Sequence, residues 1–264
     1  MCTERTPRVA AARQLARRTG RTRAGRFLAE GAQAVREALR WPGRVHELFF
    51  TAQAAERNPE LLDAARDAGV PLSEITERAA AGLSETVTPQ GIVAVCDTVD
   101  VSLERALAGR PKLVAVLVGV ADPGNAGTVS RVADAAGADA VIFAGDTVDP
   151  HNGKCVRAST GSLFHLPIAR ERDLTTVLDA CRAAGLRLVA ADGNAADDLD
   201  TAGALAEPTA WLFGSEAHGV PGEVLAAADE ALRVPIYGDA ESLNLATAAA
   251  VCLYASARAH RSPE

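Results

Sequence analysis

Apolar positions fall into two recurring patterns. Continuous apolar runs at KLVAVLVGV (112–120), ADAVIF (138–143), LRLVAAD (186–192) and TAWLFGSE (209–216) read as strands buried on both faces, since such strands show no polar alternation. DLTTVLDACRAAG (173–185) and LNLATAAAVCLYASARA (243–259) carry helical spacing. LFHLPIA (163–169) and ALRVPI (231–236) add further strands, with short helices expected around 149–160 and from Pro221. Strands alternating with helices predict a mostly parallel sheet covered on both faces. Upstream, FLAEG (27–31), RVHELFFT (44–51) and GIVAVCDTV (91–99) read as strands. Helices are expected over 8–18, AQAVREALR (32–40), ERNPELLDAARDAG (56–69) and TERAAAGLSE (76–85). The alternation divides into a small α/β unit over 1–98, a connector over 99–112 and a larger α/β unit over 113–264.

Composition changes this picture in two places. The chain has 264 residues, 48% apolar and 23% charged, a globular balance sized for one large or two small domains. No run approaches a membrane span and no apolar leader opens the chain, so a cytoplasmic location without membrane contact is expected. Five scattered cysteines (Cys2, Cys96, Cys155, Cys181, Cys252) at no ligand spacing argue against disulfides and against a bound metal. The net charge of −7 hides an asymmetry: residues 1–40 hold ten arginines against three glutamates, a balance of +7, leaving −14 for the remainder. Arg17, Arg18, Arg21, Arg23 and Arg26 cluster within RQLARRTGRTRAGR (13–26). Such an arm fits either a solvated helix or contact with a polyanion such as nucleic acid.

The stretch ADPGNAGTVSRVADAAG (121–137) lies between two predicted strands. It invites comparison with a dinucleotide-binding turn, with Asp146 where a ribose-binding acid would fall. The glycines are spaced G-x-x-G, however, and the close G-x-G that lets backbone approach a pyrophosphate is missing. The alternative is that Asn125 and Arg131 face a substrate, the guanidinium being suited to phosphate. Three further glycine-containing loops follow predicted strands: DPHNGKCVRASTGSLFHLP (149–167) with Lys154 and Arg157, LFGSEAHGVP (212–221), and VPIYGDAESLN (234–244). Open α/β sheets bind ligands at the carboxyl ends of their strands.

Three of these loops carry an ordered set of motifs: N-x-G-x-x-x-R (Asn125, Gly127, Arg131), G-x-E-x-x-G (Gly214, Glu216, Gly219) and P-x-x-G-x-x-x-S-L-N (Pro235, Gly238, Ser242, Leu243, Asn244). In this order and spacing they resemble the motifs of the SpoU/TrmH RNA 2′-O-ribose methyltransferases of the SPOUT superfamily. RAGRFLAEGAQAVREAL (23–39) is similar to the N-terminal substrate-binding domain of the rRNA-modifying branch, itself akin to an RNA-binding ribosomal protein.

The resemblance implies an α/β trefoil-knot methyltransferase domain at the C-terminus, a smaller ribosomal-protein-like RNA-binding domain before it, and a homodimer. It implies S-adenosylmethionine (SAM) as cofactor, held near Gly193, Gly214, Val234, Ile236 and Leu243. Arg131, Asn125, Glu216, Ser242 and Asn244 carry over as the catalytic set, with Asn125 orienting Arg131 or the ribose. Arg17, Arg18, Arg21, Arg23, Arg26, Lys154 and Arg157 carry over to the RNA. The implied reaction is methylation of a ribose 2′-hydroxyl, with ribosomal RNA ahead of tRNA as substrate. Two readings of other classes stay open: a non-catalytic RNA-binding protein on this scaffold, and a nicotinamide-dependent oxidoreductase.

Overall fold

The computed structural model describes residues 1–41 and 43–261. The chain forms two compact units. The first comprises Met1–Val99 together with Asp149–Phe164, and the second Asp100–Val148 together with the chain from His165 onward. The division differs from the expected 1–98, 99–112 and 113–264 at two places. Residues 149–164 pack with the N-terminal unit, and the connector is part of the second unit's fold.

The first unit is built on strands β1 (Arg26–Glu30), β2 (Val45–Phe50), β3 (Leu72–Glu74) and β4 (Ile92–Asp97), in the order β1-β4-β2-β3. Strand β4 runs antiparallel to both neighbours, and β3 lies parallel to β2. Leu28, Phe49, Val93 and Val95 pack against Val9, Ala12, Ala79 and Leu83 of the flanking helices. Residues 149–164 are fastened by a buried network. Arg21 pairs with Asp149 at 2.8 Å and donates to the carbonyls of Leu15 and Ala16. His151 accepts the Val99 amide through Nε2 and faces Asp149 through Nδ1. Burial alone would raise the Asp149 carboxyl, but His151 and the Arg21 guanidinium outweigh it and hold it well below the usual carboxylate range.

The second unit is an eight-stranded, all-parallel sheet. Its strands are β5 (Asp100–Val101), β6 (Leu113–Val118), β7 (Ala140–Ala144), β8 (Ile168–Glu171), β9 (Arg187–Ala191), β10 (Asp197–Asp198), β11 (Thr209–Phe213) and β12 (Glu230–Arg233). The order is β10-β12-β9-β11-β6-β7-β8-β5. One face packs Val114, Val116, Ile142, Leu188 and Leu212 against Val177, Leu178 and Cys181 of helix Leu174–Ala183. The other face carries Trp211 and Phe213 of the central strand, alongside helices Pro123–Ala136 and Leu245–Ala259. The Trp211 indole donates to the hydroxyl of Ser256, both groups being fully buried. That bond satisfies two polar groups which would otherwise each cost about 1–3 kcal/mol. Four of the five cysteines are buried among apolar side chains, and burial pushes the Cys181 and Cys252 thiols up to about 12.

Among the described residues no helix is long and apolar enough to cross a membrane. The glycines expected to form a turn ahead of the helix lie inside it, since the helix begins at Pro123. Asp122 caps it, accepting the Asn125 amide at 2.8 Å, and Pro123 opens it, so Gly124, Asn125 and Gly127 lie in its first turns. The left-handed turn comes earlier, at Gly119 with φ +64°. A carboxylate thus occupies the helix start that a pyrophosphate would need. The oxidoreductase reading loses its physical basis.

Candidate active site

Three loops leave the carboxyl ends of neighbouring strands β9, β11 and β12 and enclose a cleft of about 720 Å³. This size suits a cofactor or other small molecule. Ala191–Gly193 follow β9, Phe213–Glu216 follow β11, and Val234 and Ile236 follow β12, with Glu241–Leu245 leading into the last helix. Gly193, Gly214, Val234, Ile236 and Leu243, assigned to the cofactor by resemblance, all line this cleft. So do Glu216, Ser242 and Asn244 of the expected catalytic set.

The β11 loop is closed on itself. The amide of Ser215 donates to the Gly219 carbonyl at 3.0 Å, and the Gly219 amide returns to Ser215 at 2.9 Å. A Cβ on Gly214 would stand 2.0 Å from the Gly219 carbonyl carbon, so only glycine fits there. Gly219 itself has φ +65°, in the left-handed region that glycine tolerates. These two glycines turn the chain sharply enough to present Glu216 at the cleft.

A chain of side-chain hydrogen bonds joins all three motifs. The Asn125 amide donates to Glu216 Oε1 at 2.8 Å, and the Asn244 amide donates to Asn125 Oδ1 at 3.1 Å. Asn244 Oδ1 meanwhile accepts from the amides of Ala246 and Thr247 and caps helix Leu245–Ala259. Asn125 therefore has its amide nitrogen and its oxygen engaged with cleft residues, so of its two expected roles, orienting Arg131 or the ribose, the first has no contact behind it. Arg131 lies six residues further along the helix, about a third of a turn off the Asn125 face. It is exposed, lies outside the cleft lining, and has no ion pair or side-chain hydrogen bond among the described residues.

Sequence reasoning missed four polar contributors. Asp192 and Glu241 add carboxylates to the cleft, and Arg233 lines it while donating to the Ala195 carbonyl. Asp122, the cap that places Asn125, was legible as Asp before Pro, a standard helix-start signal. The cleft is thus partly apolar, through Phe213, Leu232 and Leu243, and acidic on balance, through Asp192, Glu216 and Glu241 against Arg233. That lining matches SAM, which joins an apolar-faced adenine to a cationic sulfonium.

The expected RNA-binding residues divide. Arg17, Arg18 and Arg23 are exposed, without side-chain partners among the described residues. Arg21 does not belong with them, because its buried guanidinium is committed to Asp149 and backbone carbonyls. Arg157 pairs with the buried Glu30 at 3.0 Å, while Lys154 is exposed.

Residues 112–254 match the SpoU rRNA Methylase family. The chain belongs to that family. Residues 6–94 match an MRM3-like substrate binding domain. SpoU relatives include the 23S rRNA (guanosine(2553)-2′-O)-methyltransferase of Bacillus subtilis, 38% identical with 89% of each chain covered. Another is the 23S rRNA (uridine(2479)-2′-O)-methyltransferase of Streptomyces viridochromogenes, 32% identical over 92% of this chain and 86% of that one. The solved structure of the SpoU methyltransferase AviRb from S. viridochromogenes, in complex with AdoMet, superposes with a TM-score of 0.83 at 32% identity. It covers 96% of this chain and 98% of the other.

Proposed function

We propose that this chain is a cytoplasmic, SAM-dependent RNA 2′-O-methyltransferase acting on ribosomal RNA. The observation that carries the reading is the hydrogen-bonded chain Asn244–Asn125–Glu216, which brings all three motifs to one cleft of cofactor size. Membership of the SpoU family and the substrate-binding domain over residues 6–94 support RNA as substrate. The two named relatives modify different nucleotides, so neither nucleotide carries over.

Gly193, Gly214, Val234, Ile236 and Leu243 would hold SAM, with Asp192, Glu216 and Glu241 favouring its positive charge. When bound, SAM supplies a sulfonium methyl: the ribose 2′-oxygen forms the new O–C bond as the C–S bond breaks, the hydroxyl proton is released and S-adenosylhomocysteine remains. The protein's part is alignment and charge. Asn125 and Asn244 fix Glu216 and with it the loop at the cleft edge. Ser242 orders the loop before the last helix. Arg131 is a poor base because a guanidinium keeps its protons. Its role is to hold an RNA phosphate and stabilise negative charge developing on the 2′-oxygen. The exposed arginines of the N-terminal arm supply salt-sensitive phosphate contacts.

The dimer and the knot belong to this reading. On helix Leu245–Ala259, exposed Val251 and Tyr254 form an apolar stripe beside the Arg131 helix, to which Tyr254 is tied through the Ala135 carbonyl. A second copy covering this stripe would sit next to Arg131. Sedimentation should therefore give twice the chain mass for the wild type and the single mass for Tyr254→Asp.

Incubation with labelled SAM and undermethylated bacterial rRNA, followed by nucleoside digestion, tests the activity. A 2′-O-methylated nucleoside is expected. A base-methylated product, or labelling of tRNA alone, would contradict the assignment.

A further inference from the structure

The N-terminal sheet carries a cationic cluster that none of the motifs includes. Asp97, at the end of β4, faces three basic side chains: Arg26 of β1 at 4.0 Å, Arg44 ahead of β2 at 3.8 Å and His46 at 2.5 Å. Only the His46 contact is of hydrogen-bond length, so the two guanidinium groups stand close to the carboxylate without being consumed by it. Two full positive charges against one negative leave a surplus of +1, before any charge on His46. Arg26 and Arg44 are 44% and 55% exposed at the side chain, which leaves their donors open to solvent.

Backbone geometry builds this cluster. Arg26 is the register partner of Asp97 across the β1–β4 ladder, and the Asp97 amide donates to the Arg44 carbonyl. The β2–β4 ladder slips between Val45 and Glu47, so His46 is the extra residue of a bulge. Bulges re-aim a side chain, and here the ring turns onto Asp97. The Arg44 guanidinium lies 5.7 Å from the centre of the Trp41 ring, which restricts where the arginine points. Trp41 is itself braced edge-on by Phe164, with ring centres 5.9 Å apart.

We infer that Arg26, Arg44 and His46, gathered around Asp97, form a phosphate-binding clamp for the backbone of the RNA substrate. Phosphate is the chemistry that two forked, solvent-open guanidinium groups held beside one carboxylate recognise, and RNA is the phosphate polymer this unit is read as binding. The inference rests on the reading of the chain as an RNA-modifying enzyme, and adds Arg44 and His46 to the residues assigned to RNA.

Filter binding of the full chain to transcribed bacterial 23S rRNA across a salt series tests it. Arg26→Ala/Arg44→Ala should weaken binding about tenfold and flatten the log–log salt slope by about 1–2, as expected for losing one or two phosphate contacts. Arg26→Lys/Arg44→Lys should recover most of the slope. Arg66→Ala/Arg105→Ala, which removes the same charge from exposed helix positions elsewhere, should behave as wild type. Unchanged circular dichroism and an unchanged thermal midpoint in all variants show that the fold of the mutated unit persists. Wild-type rRNA binding that the Arg26/Arg44 alanine pair leaves unaltered, or that the Arg66/Arg105 pair weakens equally, would overturn the clamp alone. A wild-type chain that binds no rRNA would overturn the clamp and the assigned function together.

Discussion

At the scale of single residues, the site depends on side chains with no room for substitution. Gly214 is the clearest case, because a methyl group there collides with backbone rather than with a movable side chain. Gly214→Ala should therefore force the 214–219 loop apart and weaken SAM binding at least tenfold by calorimetry. Because the strain is confined to one loop, the thermal midpoint should move by only a few degrees. Loss of the fold instead, or wild-type affinity, would show that this turn is not part of the cofactor cleft. Much of the residue-level picture is legible in the sequence, since Asn125, Gly214 and Asn244 stand in motifs whose order and spacing resemble those of the SpoU family. The Asn125–Glu216 bond is not, because its partners lie 91 positions apart and only the parallel sheet brings them together. Arg21 was misread for a related reason. Charge counting along the chain cannot show that one arginine of a basic run has its carboxylate 128 positions away.

At the scale of elements, strands with long apolar runs were predicted correctly while short edge strands were not. Strands β5 and β10, two residues each, have too few positions for any periodicity to register. The helix between β6 and β7 starts at Pro123, before the glycines that the sequence reads as a turn, because Asp122 caps it there. The segment 149–164 was assigned to the larger unit by sequence order alone, whereas Arg21, Asp149 and His151 fasten it to the smaller one. This anchorage makes a pH prediction. The Asp149 carboxyl is depressed in the folded state below its unfolded value of about 3.9. Its stabilisation is thus complete above that value and is lost progressively as pH falls below it, down through the lower folded value. Arg21→Ala leaves Asp149 buried without its guanidinium partner and should cost about 3–5 kcal/mol at neutral pH. The penalty should shrink as the solution is acidified towards pH 3, as followed by denaturant unfolding. A pH-independent penalty would mean that Arg21 acts through packing alone.

At the scale of the whole molecule, the sequence separates two tasks by charge. Ten of the 25 arginines fall within the first 40 residues, while the rest of the chain is strongly acidic. The acidic part builds a cleft whose carboxylates suit a cationic cofactor and would repel an RNA phosphate entering the same space. RNA must therefore be met by other surfaces, and on the larger unit Arg131 is an exposed cation on the motif helix. On the proposed function, the cleft holds SAM while Arg131 serves the RNA and the reacting oxygen. The most direct measurement is SAM affinity by calorimetry and methyl transfer to rRNA, made side by side on the wild type and Arg131→Ala. SAM affinity is expected within about twofold of wild type and transfer reduced by at least about 10²-fold, the scale on which losing one transition-state charge partner is felt. Transfer at the wild-type rate, or an equal loss of SAM binding, would contradict the proposed function.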